Sequence, residues 1–101
     1  MKLYHVYMLL CNDGSYYTGV TNNIERRLIE HEAGENVNCY TFKRRPLKLV
    51  FQEAFGDINQ AIAFEKQVKG WRRAKKEAII AGNWHLLPEL AKTSQYLPKS
   101  S

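Results

Sequence analysis

The stretch from Tyr4 to Thr21 restricts what this chain can fold into more than any other segment. It reads Tyr-His-Val-Tyr-Met-Leu-Leu-Cys, then Asn-Asp-Gly-Ser, then Tyr-Tyr-Thr-Gly-Val-Thr. Two runs of β-branched, aromatic and aliphatic residues flank an Asp-Gly turn signal, the short-range signature of a β-hairpin. Side chains alternate along a strand, so the parity of the loop decides whether Tyr7 and Tyr17 share a face. A two-residue turn at Asp13-Gly14 pairs Leu10 with Tyr17 and puts Tyr7 on the opposite face. A three-residue loop of Asn12, Asp13 and Gly14, with Gly14 left-handed, pairs Leu9 with Tyr17 and Tyr7 with Gly19. The sequence leaves both registers open. The second places two phenols beside a glycine, which would leave room for a ligand.

Beyond the hairpin, Asn22 reads as a helix N-cap, with Glu25 completing a capping box and Gly34 as the stop, giving a helix over about 23–33. Residues 34–46 form a long loop that carries the basic cluster Lys43, Arg44 and Arg45. Leu47 to Phe55 is the third strand. Asp57 caps a second helix that runs to about Lys69, Gly70 interrupts it, and a third helix follows from about Trp71 to Ala81. Residues 83–91 read as a short further turn of helix, and 92–101, which lack a periodic pattern, as a loose tail.

The order is β-β-α-β-α-α. The strands are too few and the connections too short for a parallel doubly wound sheet. The expected fold is therefore a single small α/β domain with a three-stranded antiparallel sheet flanked by helices. The first strand should be central, because Val6, Met8 and Leu10 on one face and Leu9 and Cys11 on the other make it apolar on both sides.

A chain of 101 residues with 45% hydrophobic content supports one core and no second. No apolar run approaches membrane-spanning length and the N-terminus has no signal-peptide pattern, so a soluble, cytoplasmic protein is expected. Cys11 and Cys39 fit neither a metal-binding pair nor a disulfide framework and read as thiols in or near the core. The formal charge of +5 suggests a polyanionic partner.

Arg27 and His31 are four residues apart and share a helix face. Alone, either would be an ordinary surface charge. Beside the hairpin they read as a guanidinium aimed at a phosphate and an imidazole placed near a phenol. Glu65 interrupts the apolar stripe of Ile58, Ala61, Ile62 and Val68 on the second helix, and a carboxylate on an inward face must find a cation. An arginine such as Arg27 and a divalent metal are both candidates. Lys43, Arg44, Arg45, Lys69, Arg72, Arg73 and Lys76 could track a nucleic-acid backbone on either side of that carboxylate, and Lys66 and Lys75 extend the run. Trp71 and Trp84 are candidates for base stacking, with at least one expected in the core.

Taken together, His5-Val6-Tyr7, Tyr17-Thr18-Gly19, the run from Asn22 to His31, Arg44-Arg45-Pro46 and Phe64-Glu65-Lys66 resemble the GIY-YIG nuclease superfamily, most closely its small stand-alone bacterial members. The resemblance extends to about Ala81 and implies a nuclease-like domain over residues 1–91. It implies a metal-dependent DNA endonuclease, structure-selective or weakly sequence-selective, acting in DNA repair or recombination. Tyr7 would serve as general base assisted by His31, and Tyr17 would bond the scissile phosphate. Arg27 would stabilise the transition state, and Glu65 would hold one Mg²⁺ or Mn²⁺. The alternative is a nucleic-acid-binding module with little or no cleavage, acting with a partner protein that supplies specificity. Two departures stand out: Val20 follows the second tripeptide where some members have lysine, and the late asparagine that many members have near the metal has only a poor positional counterpart in Asn83.

Overall fold

The computed structural model describes residues 2–82, so the expectations for residues 83–101, Asn83, Trp84 and the tail among them, lie outside the described residues. Its sheet has the order β2-β1-β3, both pairings antiparallel, from β1 (Tyr4–Leu10), β2 (Tyr16–Thr21) and β3 (Lys48–Phe55). β1 is central, and Val6, Tyr7, Met8 and Leu9 are buried in an unbroken run. Both of its faces are covered, which is what its continuous apolar character requires. A bulge opposite Met8 and Leu9 offsets its pairing with β3.

The hairpin takes the odd register. Cys11 N–H donates to Ser15 O at 2.8 Å and Gly14 N–H to Cys11 O at 2.9 Å. These bonds close a three-residue loop whose Gly14 has φ 85°, a conformation that L side chains rarely adopt. Leu9 accordingly faces Tyr17, and Tyr7 faces Gly19.

Three α-helices cover the sheet: α1 (Ile24–Ala33), α2 (Ile58–Lys69) and α3 (Arg73–Ile80). Val6 and Met8 form the core with Ala61, Phe64 and Val68 of α2 and Ala78 and Ile79 of α3. Tyr7 and Leu9, one residue out of phase, point to the other side, where α1 lies. α1 begins one residue later than the sequence suggests. Thr21 Oγ1 accepts the Asn23 amide at 3.1 Å, and the Asn23 side chain caps the Arg26 amide at 3.0 Å. Asn23 rather than Asn22 is therefore the N-cap, and the expected Asn22 to Glu25 capping box does not form. The stop is as expected: Gly34 has φ 68°, and Glu35 N–H returns to Glu30 O at 3.2 Å.

In α2, Asp57 caps the Asn59 amide at 3.0 Å. The inward stripe differs from the expected one in membership. Ile58 is 37% exposed, and Phe64 is its fully buried centre, touching Phe51, Phe55 and Trp71. Trp71 precedes α3 instead of opening it and is packed edge-on against Phe64, which makes it a core residue. Lys75, expected to extend the basic run that could track nucleic acid, is instead buried, with its Nζ 3.9 Å from the centre of the Trp71 ring.

Candidate active site

Gly19 explains how Tyr7 reaches across β2. A methyl group built on Gly19 would lie 2.5 Å from the Tyr7 hydroxyl oxygen and 2.6 Å from Cζ. The phenol of β1 therefore lies flat across the backbone of β2. The space expected to admit a ligand is filled by Tyr7 itself, because a buried ring takes up any gap that a missing Cβ leaves. Gly19→Ala should destabilise the fold by about 1–3 kcal/mol through overpacking. Chemical denaturation measures this, and an unchanged midpoint would show that the ring can swing aside without loss.

Lying across Gly19 carries the Tyr7 hydroxyl to α1. It sits 2.9 Å from His31 Nε2 and receives a long hydrogen bond from Arg27 Nε at 3.4 Å. The helical spacing of four brings both groups to one phenol. Burial pushes the Tyr7 pKa up to about 12, only partly opposed by the Arg27 bond. Burial and the Arg27 charge hold His31 below its ordinary value, so the imidazole is neutral near pH 7 and able to accept a proton. The Arg27 guanidinium, which also meets Glu30 at 3.1 Å, is more firmly protonated than usual, chiefly through the Tyr7 bond.

Tyr17 joins from β2, with its ring centre 6.3 Å from that of Tyr7 and 5.2 Å from that of His31. Three residues that no sequence pattern marks complete the cluster, all from the loop after α1. Thr41, 1% exposed, places Oγ1 2.9 Å from His31 Nδ1. Cys39 Sγ receives the Thr41 hydroxyl at 3.4 Å and also bonds with the Tyr17 hydroxyl. Burial alone would raise this thiol, but the Thr41 and Tyr17 bonds and the Arg27 charge outweigh it and hold it below its ordinary value. Tyr40 stacks on Tyr17 with centres 6.1 Å apart.

Glu65 is 8% exposed and inward-facing, as its position in the stripe requires, but its partner is not Arg27. Lys69, one helical turn on, meets it at 2.7 Å. Arg27 is taken by Tyr7 and Glu30. The Lys69 charge also acts on the Tyr17 phenol, which places this end of α2 beside the tyrosine cluster. Among the described residues no group of three or more His, Cys, Asp or Glu side chains could hold a metal ion. A lone hard carboxylate, nearly buried and held by a flexible, half-exposed lysine, does fit a divalent cation that keeps most of its waters and takes the rest of its shell from phosphate.

The sequence profile of the GIY-YIG catalytic domain matches residues 3–78. The chain belongs to the GIY-YIG family. A UPF0213 protein of Natronomonas pharaonis is 45% identical over 78 residues, covering 77% of this chain and 91% of the relative. The solution structure of a UPF0213 protein from Bacillus halodurans is 34% identical, with TM-score 0.53, covering 95% of this chain and 99% of that one. A solution structure from E. faecalis is 37% identical with TM-score 0.59, covering 85% and 90%.

In this GIY-YIG domain the basic residues divide into two groups. Arg44 binds Asp13 at 2.9 Å and the Tyr40 carbonyl at 2.8 Å, and lies over the Tyr40 ring. Arg45 donates to the carbonyls of Phe42 and Glu32. Arg73 is held by Glu77 and the Gly14 carbonyl. These guanidinium groups fasten the loop and the hairpin turn. Lys43, Lys66 and Arg72 are exposed and form no ion pair among the described residues, which leaves them free to meet phosphates. Lys76 is half-buried. No helix among the described residues is long and apolar enough to cross a membrane.

Proposed function

We propose that this GIY-YIG domain is a divalent-metal-dependent endonuclease that hydrolyses DNA phosphodiester bonds. The observation that carries the reading is the Tyr7 hydroxyl held between a neutral imidazole and a guanidinium. A phenol with a pKa near 12 is a poor base by itself, and these neighbours supply what it lacks. His31 Nε2 accepts the phenolic proton and Arg27 stabilises the phenolate, which then takes a proton from the attacking water. Arg27 also faces the charge that builds on the phosphate, and Tyr17 turns its hydroxyl from Cys39 to a phosphate oxygen when DNA arrives. Glu65 would hold Mg²⁺ or Mn²⁺, which when bound supplies positive charge to the phosphate and the leaving oxygen.

Exposed cations without an ion pair among the described residues, Lys43, Lys66 and Arg72 included, are suited to backbone phosphates, and phosphate contacts carry no base sequence. Branched or otherwise distorted DNA of the kind met in repair or recombination is the matching substrate class. The test is cleavage of branched, single-stranded and duplex DNA with Mg²⁺ or Mn²⁺, against Tyr7→Phe as control. Cleavage lost in the variant supports the reading. The high pKa of Tyr7 favours one other reading, a binding module that depends on a partner protein, and DNA binding without cleavage by the parent protein would select it.

Binding itself has a separate signature. Apparent affinity should fall linearly with salt on a log-log plot, by about 0.9 in slope per duplex phosphate neutralised. Removing charge at Lys43 and Arg72 should flatten that slope by about two phosphates, whereas Arg73→Ala should change it little. An unchanged slope in the double variant would place the DNA elsewhere on the surface.

A further inference from the structure

We infer that Thr41 is a positioning residue. Its hydroxyl, held by the Cys39 sulfur, takes the proton-bearing Nδ1 of His31 and leaves Nε2 bare to receive the Tyr7 proton. The Thr41 hydroxyl has one hydrogen, and it is directed at Cys39 Sγ at 3.4 Å. The sulfur also bonds with the Tyr17 hydroxyl. With that hydrogen on the sulfur, the Thr41 oxygen meets His31 Nδ1, 2.9 Å away, with lone pairs alone, and Nδ1, which Cys39 Sγ also approaches at 3.9 Å, is assigned the hydrogen. In a neutral imidazole the other nitrogen is then an acceptor. Tyr7 accepts from Arg27 Nε and donates to Nε2. Every bond runs one way: Arg27 to Tyr7, Tyr7 to His31, His31 to Thr41, Thr41 to Cys39.

The direction matters because the opposite tautomer would point an N–H at the Tyr7 oxygen, which Arg27 already supplies with a donor. The phenol could then pass its proton nowhere. In the arrangement described, the Tyr7 O–H bond breaks, its proton joins Nε2, and phenol plus imidazole become phenolate plus imidazolium with no charge gained or lost. Thr41 and the sulfur behind it then face the imidazolium. The catalytic consequence rests on the nuclease reading, whereas the tautomer does not.

The tautomer is read on DNA-free protein by ¹⁵N NMR of the His31 ring, assigned by difference with His31→Gln. The expected result is a protonated Nδ1 and an unprotonated Nε2 in the parent. Thr41→Val, close in shape but without the hydroxyl, should move the ring toward the Nε2–H form, and Thr41→Ser should keep the parent pattern. Cys39→Ala frees the Thr41 hydrogen to turn toward Nδ1 and should give a mixture. An Nε2–H ring in the parent, or a ring unchanged in Thr41→Val, would overturn the inference. An unchanged Cys39→Ala would remove the sulfur from it.

Single-turnover cleavage across pH adds a second readout. Thr41→Val should lose roughly 10- to 100-fold, the range for removing a bond that orients an imidazole, and Thr41→Ser should recover most of it. The titratable or charged groups facing His31 are Tyr7 of β1, Tyr17 of β2, Arg27, Glu30 and Glu32 of α1, and Cys39 of the loop. All of them remain in both Thr41 variants, so a change in the pH profile that Thr41→Ser reverses belongs to the Thr41 bond. Equal cleavage by Thr41→Val despite a shifted tautomer would overturn the positioning role. A parent that does not cleave would end the nuclease reading and leave the tautomer result standing.

Discussion

Tyr7→Phe should slow single-turnover cleavage by roughly 10²–10⁴-fold, the span expected when a general base is removed. The ring still fills the space over Gly19, so the sheet keeps its packing. The lost hydroxyl leaves His31 Nε2 and Arg27 Nε without it, and an unsatisfied polar group of this kind costs about 1–3 kcal/mol. A melting curve should show that modest loss beside the much larger loss of rate. His31→Ala should fall in the same range of rates, because the phenol then has no acceptor for its proton. In the parent, the rate should hold near neutrality and fall as pH drops through the His31 pKa, which burial and Arg27 place below its ordinary value.

Stability should follow the same sign. The unfolded chain takes up the His31 proton near the ordinary value of about 6.5, while the folded chain resists it. The contribution of His31 is therefore complete above that value and is lost as pH falls from it through the lower folded value. Cleavage by Tyr7→Phe at the parent rate would remove the phenol from the chemistry and leave His31 to act on water directly.

Glu65→Gln should reduce cleavage to background while leaving DNA affinity in metal-free buffer unchanged or slightly higher. The substitution keeps the size of a nearly buried side chain and deletes the charge that would hold the cation. Lys69 loses its partner at 2.7 Å, but at 56% exposure its side chain can turn to water, so stability should change little. Lys69→Met is the informative contrast. It leaves the carboxylate without its resident counter-ion and should tighten Mn²⁺ binding, measured by electron paramagnetic resonance on the free protein, whereas Glu65→Gln should weaken it. Full cleavage by Glu65→Gln would show that another group holds the metal.

The parts of this site that could be read from the sequence are those set by local spacing. The four-residue interval brings Arg27 and His31 to one phenol, and the inward place of Glu65 follows from helical periodicity. The hairpin parity is open in the sequence, and Gly14 settles it by taking the left-handed conformation. What could not be read is what depends on where a loop lands. Cys39, Tyr40 and Thr41 lie in a segment with no periodic pattern, and nothing local marks Thr41 as the partner of an imidazole ten residues earlier. The same blindness affected the charges. Arg44 and Arg45 look free in sequence but are used by carbonyls and by Asp13, which only the folded loop brings near. The N-cap slipped from Asn22 to Asn23 because Thr21 competes for the intervening backbone.

Placing Tyr7 on β1 has a consequence for how the tyrosine cluster comes apart on heating. β1 is bonded on both edges, and its neighbours Val6 and Met8 anchor the core. The amides of such a strand exchange with solvent only through global opening, not through the local fluctuations that release edges and loops. The phenol is thus mounted on the last segment to come apart, while Thr41 and Cys39 ride on a loop held by a few polar bonds. Warming should first loosen the loop and shift the His31 tautomer. Hydrogen exchange at Tyr7 should remain as slow as global unfolding until the whole sheet melts.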